Sequence, residues 1–592
     1  MSYPDSSYSP APPTPEPRSP DKRKRNRLLG ILAIVLALLL CCCVAVVALL
    51  YFDPFGWGLL SRFTGRYDAV AQAAPIDSTI YMGVNLLNAT PEKTDPLISA
   101  FEDAFDEYTG ESIGDSADFL DQINDSLDEF DLTLEEDIIP WIGQYAGMGV
   151  LDLDLDSYGN PESVDVFFAV EARNKGAADD FLVKLADSIS DSWDVSIGTT
   201  QYQDTTIYVV DDPYQELAFA RHDSLVILAN SEDSIQEVID AEKGDSIADD
   251  PVYRDLMSKL PSERLLSLYL PASALEDLSS AATSGIGIFG TDMEDFYAGT
   301  SSMAFSLAIV DAGLQLDTVV AYEPDAISDS QRQLLDAAGR ANNTAALLPG
   351  DTFAYASGQR LDLAWANYYE VLSEATEGDF DEALSELEDE IGFNPHSDLL
   401  PYLDGSYALA IFPSDSGFLV ELADIHIGFS IIAQTSDESA VLSVIDSFND
   451  ALEDNGGGEV DDVSTSSMTL YEATDTYMDE PIMVYGVGEG WLGIASSLDV
   501  FEAFPNPPEA LNTNENFRTA QNYLPGGMNL VAYLDLLSGL DAIRDNMDGY
   551  AREDFDESTF FLNPIETLVG GASPFSGNTV HSTIILVIPT QR

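Results

Sequence analysis

Three carboxylates at alternate positions, Asp152, Asp154 and Asp156, run into Gly159-Asn160. That order opens like a calcium loop of the D-x-D-x-D-G type, whose oxygen ligands converge on a hard cation. Position six is Ser157 instead of Gly, and position twelve is Ser163 instead of Glu. Alternating Asp and Leu is also the pattern of a strand with one wet face. The strand is the preferred reading, so no metal ligand is assigned. The four histidines, His222, His396, His426 and His581, lie thirty or more residues apart, and HExxH is missing. No Gly-Lys pair exists to begin a phosphate loop, and no Gly-x-Ser-x-Gly elbow is present. Gly285-Ile-Gly-Ile-Phe-Gly290 matches GxGxxG, yet it follows a predicted helix where a dinucleotide site needs a strand. No catalytic residue, cofactor or cofactor-binding residue is assigned. Paired carboxylates could hydrolyse a glycoside, and Trp141, Trp193, Trp365 and Trp491 could stack on a sugar. Aromatic residues inside apolar runs are more often core.

The elements that would position such groups begin with a greasy segment. Leu28–Phe52 is 25 residues without a charge, preceded by Lys22, Arg23, Lys24, Arg25 and Arg27. A helix of that length reaches roughly 37 Å, enough to span a bilayer, and the basic cluster holds the N-terminus on the cytoplasmic side. The expected order is a disordered Pro-rich tail (1–27), a single-pass transmembrane helix (28–52) and a linker (53–67). The rest follows as extracytoplasmic domains on a bacterial cell membrane. Cys41, Cys42 and Cys43 are the only cysteines and lie inside the apolar run, so the outer part has no disulfide framework.

Charge bounds the partners. Of 104 acidic and 24 basic side chains in the chain, residues 1–52 hold three acids and six bases. The remainder has 101 acids against 18 bases, a formal charge of −83. Nucleic acid is excluded as a partner, because phosphate binding needs clustered Lys and Arg. The membrane is a partner only through residues 28–52. Loosely held cations, and a protein or apolar ligand on the outer domains, are the remaining partner expectations. With 45% hydrophobic and 10% aromatic residues, the chain folds despite its charge.

Blocks of sequence recur in order. Asp77-Ser-Thr-Ile-Tyr81 returns as Asp351-Thr-Phe-Ala-Tyr355, and Asp137-Ile-Ile-Pro-Trp141 as Asp398-Leu-Leu-Pro-Tyr402. Tyr253-Arg254, Leu260-Pro261 and Tyr269-Leu270 return 264 residues later as Phe517-Arg518, Leu524-Pro525 and Tyr533-Leu534. These offsets divide the outer region into a first repeat (68–325), a connecting helix (326–341) and a second repeat (342–592). Hairpins are expected at Tyr145–Leu155 with Val164–Glu171, and at Met303–Val310 with Leu314–Tyr322 around Asp311-Ala-Gly313. Helices are expected at Gly176–Ile189, from Ser231 to Lys243-Gly244, and from Thr435 through Leu452. The fold class is therefore α+β: a transmembrane helix followed by two related halves, each a mostly antiparallel sheet with helices packed on it.

The order of elements, the Asp137-Ile-Ile-Pro-Trp141 block and the apolar anchor resemble a bacterial family called domain of unknown function 3352, over about residues 70 to 590. No activity attaches to that family, so the resemblance implies an envelope protein of undetermined role. Three functions stay in view: a non-enzymatic envelope module binding a ligand or partner, an apolar-ligand carrier or chaperone, and a carboxylate-based hydrolase.

Overall fold

A computed structural model gives the fold. It describes residues 68–589 except for 89–90, 110–123, 125–126, 129, 156–160, 213–215, 276–298, 376–378, 418, 421–424, 455–457, 476–479 and 548. The tail, the apolar run 28–52, the linker, residues 156–160 and the glycine motif at 285–290 lie outside the described residues.

Among the described residues, twenty strands form the body. First come β1 (Ile80–Asn85), β2 (Ile142–Leu155), β3 (Pro161–Ala172), β4 (Ser196–Tyr202) and β5 (Thr205–Asp211). Next are β6 (Ala218–His222), β7 (Leu225–Ala229), β8 (Arg264–Pro271), β9 (Thr300–Val310) and β10 (Gly313–Tyr322). Then follow β11 (Ala354–Gln359), β12 (Ser406–Pro413), β13 (Ile427–Gln434), β14 (Glu459–Asp462) and β15 (Thr469–Asp475). The last are β16 (Glu480–Gly488), β17 (Trp491–Ala495), β18 (Asn529–Asp535), β19 (Thr567–Ala572) and β20 (Thr579–Val587).

Every strand pairing is antiparallel, and the pairings chain all twenty strands into one sheet. From one edge the order is β4-β5-β6-β7-β3-β2-β1-β8-β9-β10. It continues as β20-β19-β18-β11-β12-β13-β17-β16-β15-β14. Read outward from the β10–β20 junction, the two flanks have the same connectivity. The free edges are blunted. β14 is four residues long and carries three acids, and β4 is exposed at five of seven positions.

This corrects the expected fold class. Two separate sheets do not form, because β10 and β20 pair from Gly313↔Val587 to Ala321↔Thr579 and merge them. An open strand edge gains a full ladder of hydrogen bonds by pairing, and each flank would otherwise leave one facing water. The membrane helix also drops out of the described fold. Among the described residues no helix is long and apolar enough to cross a membrane.

The two faces of the sheet are treated differently. One face is covered along its length by short helices. Glu232–Ala241 and Pro251–Lys259 bury Ile235, Val238, Ile239, Tyr253 and Leu256 over the first flank. Glu515–Tyr523 buries Phe517 and Ala520 over the second. Ser231 caps the first of these helices, its hydroxyl accepting the Ser234 amide at 3.0 Å. The opposite face is covered mainly at its ends. Lys175–Trp193 lies on Val84, Ala146, Val170 and Val226. At the far end Glu438–Asp454 lies on Tyr485, Val487 and Leu492.

Candidate functional site

Between those two long helices the second face carries a continuous row of apolar side chains. Residues directly opposite in an antiparallel ladder share a face, so the register traces the row across strands. From β8 it reads Leu266, Leu307, Leu316, Ile584 and Gly570. It continues through Ala532, Ala356, Leu409, Ile431 and Ile494. A second row two residues along reads Leu314, Leu586, Leu568, Leu534, Ala354, Ile411 and Phe429. At the centre the cover is thin. Leu316 is 41% exposed and Ile584 45%, while Leu409 and Ile431 are 41% and 37% exposed. The helix Pro91–Thr109 covers the side near Ile309 and Leu314, through Leu97, Ala100 and Phe101. Ten strands at about 4.8 Å spacing make the row roughly 43 Å long.

On the covered face the same junction holds charge. The Asp317 side chain is fully buried, and His581 Nε2 lies 2.9 Å from its Oδ1. Gln315 donates to the other oxygen at 2.9 Å, and the Thr583 hydroxyl also donates to Oδ1. Three partners keep a carboxylate tolerable where water is excluded. Above them is an open cleft of about 560 Å³ whose lining includes Lys259, Pro261, Tyr523 and Pro525. Asp317 and His581 are 264 residues apart, as are Lys259 with Tyr523 and Pro261 with Pro525. Equivalent positions of the two flanks therefore meet across this cleft, with unlike side chains at Asp317/His581 and Lys259/Tyr523.

The residues singled out in the sequence are mostly accounted for by packing. Asp152 sits in β2 opposite Asp165, exposed, and Asp154 pairs with Ser163. That places the front of the acidic run in a strand; the loop itself lies outside the described residues. Trp141 is buried, with Nε1 donating to Asp137 O at 2.8 Å. Trp193 packs against Phe130, and Trp365 Nε1 donates to His396 Nδ1 at 3.0 Å. The His396 ring stacks on Tyr369 with centroids 3.7 Å apart, and His426 lies on the surface near Asp415. None of these arrangements brings a tryptophan to a paired-acid cleft.

One group could hold a metal among the described residues: His222, Asp223 and Glu242 each place a ligand atom within 4.8 Å of the others. Burial and the Asp223 charge push the Glu242 carboxyl up, against the pull of His222. Its partners are already within reach. His222 Nε2 is 3.2 Å from Glu242, and Lys175 Nζ is 3.7 Å from Asp223. The sequence reading missed Asp317, and it missed Asp68 and Arg264, which meet in a pocket on the first flank. The 264-residue offset that relates Asp317 to His581 was the available signal.

Fold and site together define an α+β antiparallel-sheet protein with one helix-covered face and, among the described residues, one face whose centre exposes apolar side chains. The family model described as protein of unknown function (DUF3352) matches residues 109–586, and the chain belongs to that family. No curated protein matches the chain in sequence. Among solved structures, crystal form III of TP0453 is 8% identical and aligns 47% of this chain with 91% of that one, at a TM-score of 0.23. Crystal form I is 9% identical over 47% and 89%, also at 0.23, and form IV is 7% identical over 44% and 83%, at 0.22. Scores of that size do not establish a shared fold.

Proposed function

We propose that this chain is a non-enzymatic binding module of the cell envelope whose bare sheet face takes acyl chains. The observation that carries this reading is the exposed centre of that apolar row, Leu316, Ile584, Leu409 and Ile431. Its floor consists of interior strands, whose N–H and C=O groups are spent on the sheet ladders. Such a floor offers dispersion contact and loss of water but few hydrogen bonds. An extended peptide laid on it would bury backbone groups without partners, at a cost of roughly 1–3 kcal/mol each. An acyl chain has no such groups, and gains about 0.8 kcal/mol per buried methylene. A second copy of the chain is disfavoured by its own formal charge of −80.

The test is lipid extraction from the purified full chain, followed by titration with a fluorescent fatty acid. Wild type binds the probe, and the Leu316→Lys/Ile584→Lys pair weakens binding by about tenfold or more. Because both side chains are already exposed, the pair shifts stability by only about 0.5 kcal/mol. Equal binding by wild type and the pair ends the proposal. The envelope placement is tested separately, by protease accessibility in intact cells.

A further inference from the structure

A second pocket lies on the helix-covered face of the first flank. It holds about 560 Å³, and its lining includes Asp68, Gly83, Tyr145, Arg254, Arg264 and Ser267. The Asp68 carboxylate accepts the Tyr81 hydroxyl at 2.6 Å on one oxygen and the amides of Val70 and Ala71 at 3.0 and 3.2 Å on the other. Gly83 lets the carboxylate pack directly against the strand. A Cβ there would fall 2.5 Å from Asp68 Oδ2, 3.1 Å from the Tyr81 hydroxyl and 3.2 Å from Ser267 Oγ. Three polar atoms thus converge on one point. The Arg264 guanidinium is anchored by the Pro261 carbonyl at 2.9 Å. Burial pushes the Asp68 carboxyl above its ordinary range, outweighing these hydrogen bonds and the Arg264 charge.

The other flank shows that the fold does not require this charge. Tyr81, Tyr253 and Tyr269 pack edge to face, with centroids 6.3 and 5.1 Å apart. Tyr355, Phe517 and Tyr533 repeat the arrangement at 5.7 and 5.1 Å. At the offset of 274 that relates Tyr81 to Tyr355, Asp68 becomes Asn342 and Gly83 becomes Ser357. At the offset of 264, Arg264 becomes Met528. Asn342 makes the equivalent bond, accepting the Tyr355 hydroxyl at 3.2 Å, and its amide donates to Ser357 Oγ at 3.0 Å. So the second flank fills the corner with neutral groups, while the first places both signs of charge on the lining of a pocket.

We propose that this pocket binds a small zwitterion of the α-amino-acid type, its ammonium toward Asp68 and its carboxylate toward Arg264. The volume falls within the roughly 300–1,000 Å³ of small-molecule sites. Net charge selects the class. A free anion is repelled by a body of formal charge −80, and a free cation is repelled by Arg264 while the many surface carboxylates already attract it. A zwitterion carries no net charge to repel, and satisfies both groups at once. The pocket opens on the face opposite the bare apolar rows, so this inference stands apart from the acyl-chain reading.

Calorimetric titration of the full chain with L-alanine, L-serine and L-leucine tests it, with acetate and methylammonium as half-ligands. At least one amino acid binds about tenfold or more tightly than either half-ligand, and Asp68→Asn and Arg264→Met each weaken it about tenfold. Both variants carry the residue the other flank already uses, so they fold, and their melting temperatures check this. No binding of any of the three at about 10 mM overturns the inference. So does equal binding by acetate, or unchanged binding in both variants.

Discussion

Asp68 shows how one side chain can serve a site while weakening the fold. Its carboxyl is raised above the ordinary 3.8 by burial, so the folded state holds the proton more tightly than the unfolded chain does. Its contribution is fully present below pH 3.8 and is lost as pH rises through the raised folded value. Asp68→Asn removes that loss, because an amide carries no charge to desolvate. The variant is expected to equal or exceed wild type in urea denaturation at pH 7, with the gap closing toward pH 4. A variant less stable than wild type at pH 7, and unchanged relative to it at pH 4, would show that the carboxylate is a net structural asset. Asn342 is the precedent on the other flank, where an amide holds the same tyrosine contact.

Among the elements, the β9–β10 hairpin and the strand pair it feeds are the joint of the sheet. Gly313 opens β10 at φ +138°, and a Cβ there would fall 2.2 Å from the Leu586 carbonyl oxygen and 2.8 Å from the Ile588 amide. Both are backbone atoms of the opposite flank and cannot swing aside. Gly313→Ala is therefore expected to cost about 2 kcal/mol or more. Gly577→Ala is the control: φ is +60° and nothing lies within 4 Å of the added carbon. There only the conformational cost of roughly 1 kcal/mol applies. Equal losses of melting temperature in the two variants would mean that the junction is not tightly packed. The hairpin was legible from Asp311-Ala-Gly313 between two alternating runs, and the helix at Ser231 was legible from its cap. Both rest on neighbours in the chain, where turn and capping chemistry act.

For the molecule as a whole, self-repulsion is the dominant long-range term. A formal charge of −80 on 592 residues opposes compaction wherever counterions do not screen it. The screening length falls from about 10 Å at 0.1 M salt to about 3 Å at 1 M. The melting temperature should therefore rise steadily over that range of sodium chloride. A flat or falling curve would show that the acids are already neutralised by local partners.

Sequence alone was sufficient for the family, the antiparallel α+β character, the acidic surface, and the local hairpins and caps. Each of these depends on composition or on residues a few positions apart. The union of the flanks is different. The β10–β20 register joins residues more than 260 positions apart, and no periodicity announces which two edges will meet. The bare face was hidden for a related reason. Along β9 the large residues Met303, Phe305, Leu307 and Ile309 alternate with the small residues Ser302, Ala304, Ser306 and Ala308. Alternation tells the faces apart but not which one a helix will cover. Short helices took the small-residue face, where backbones approach closely, and on the other face Leu316 and Ile584 stay exposed.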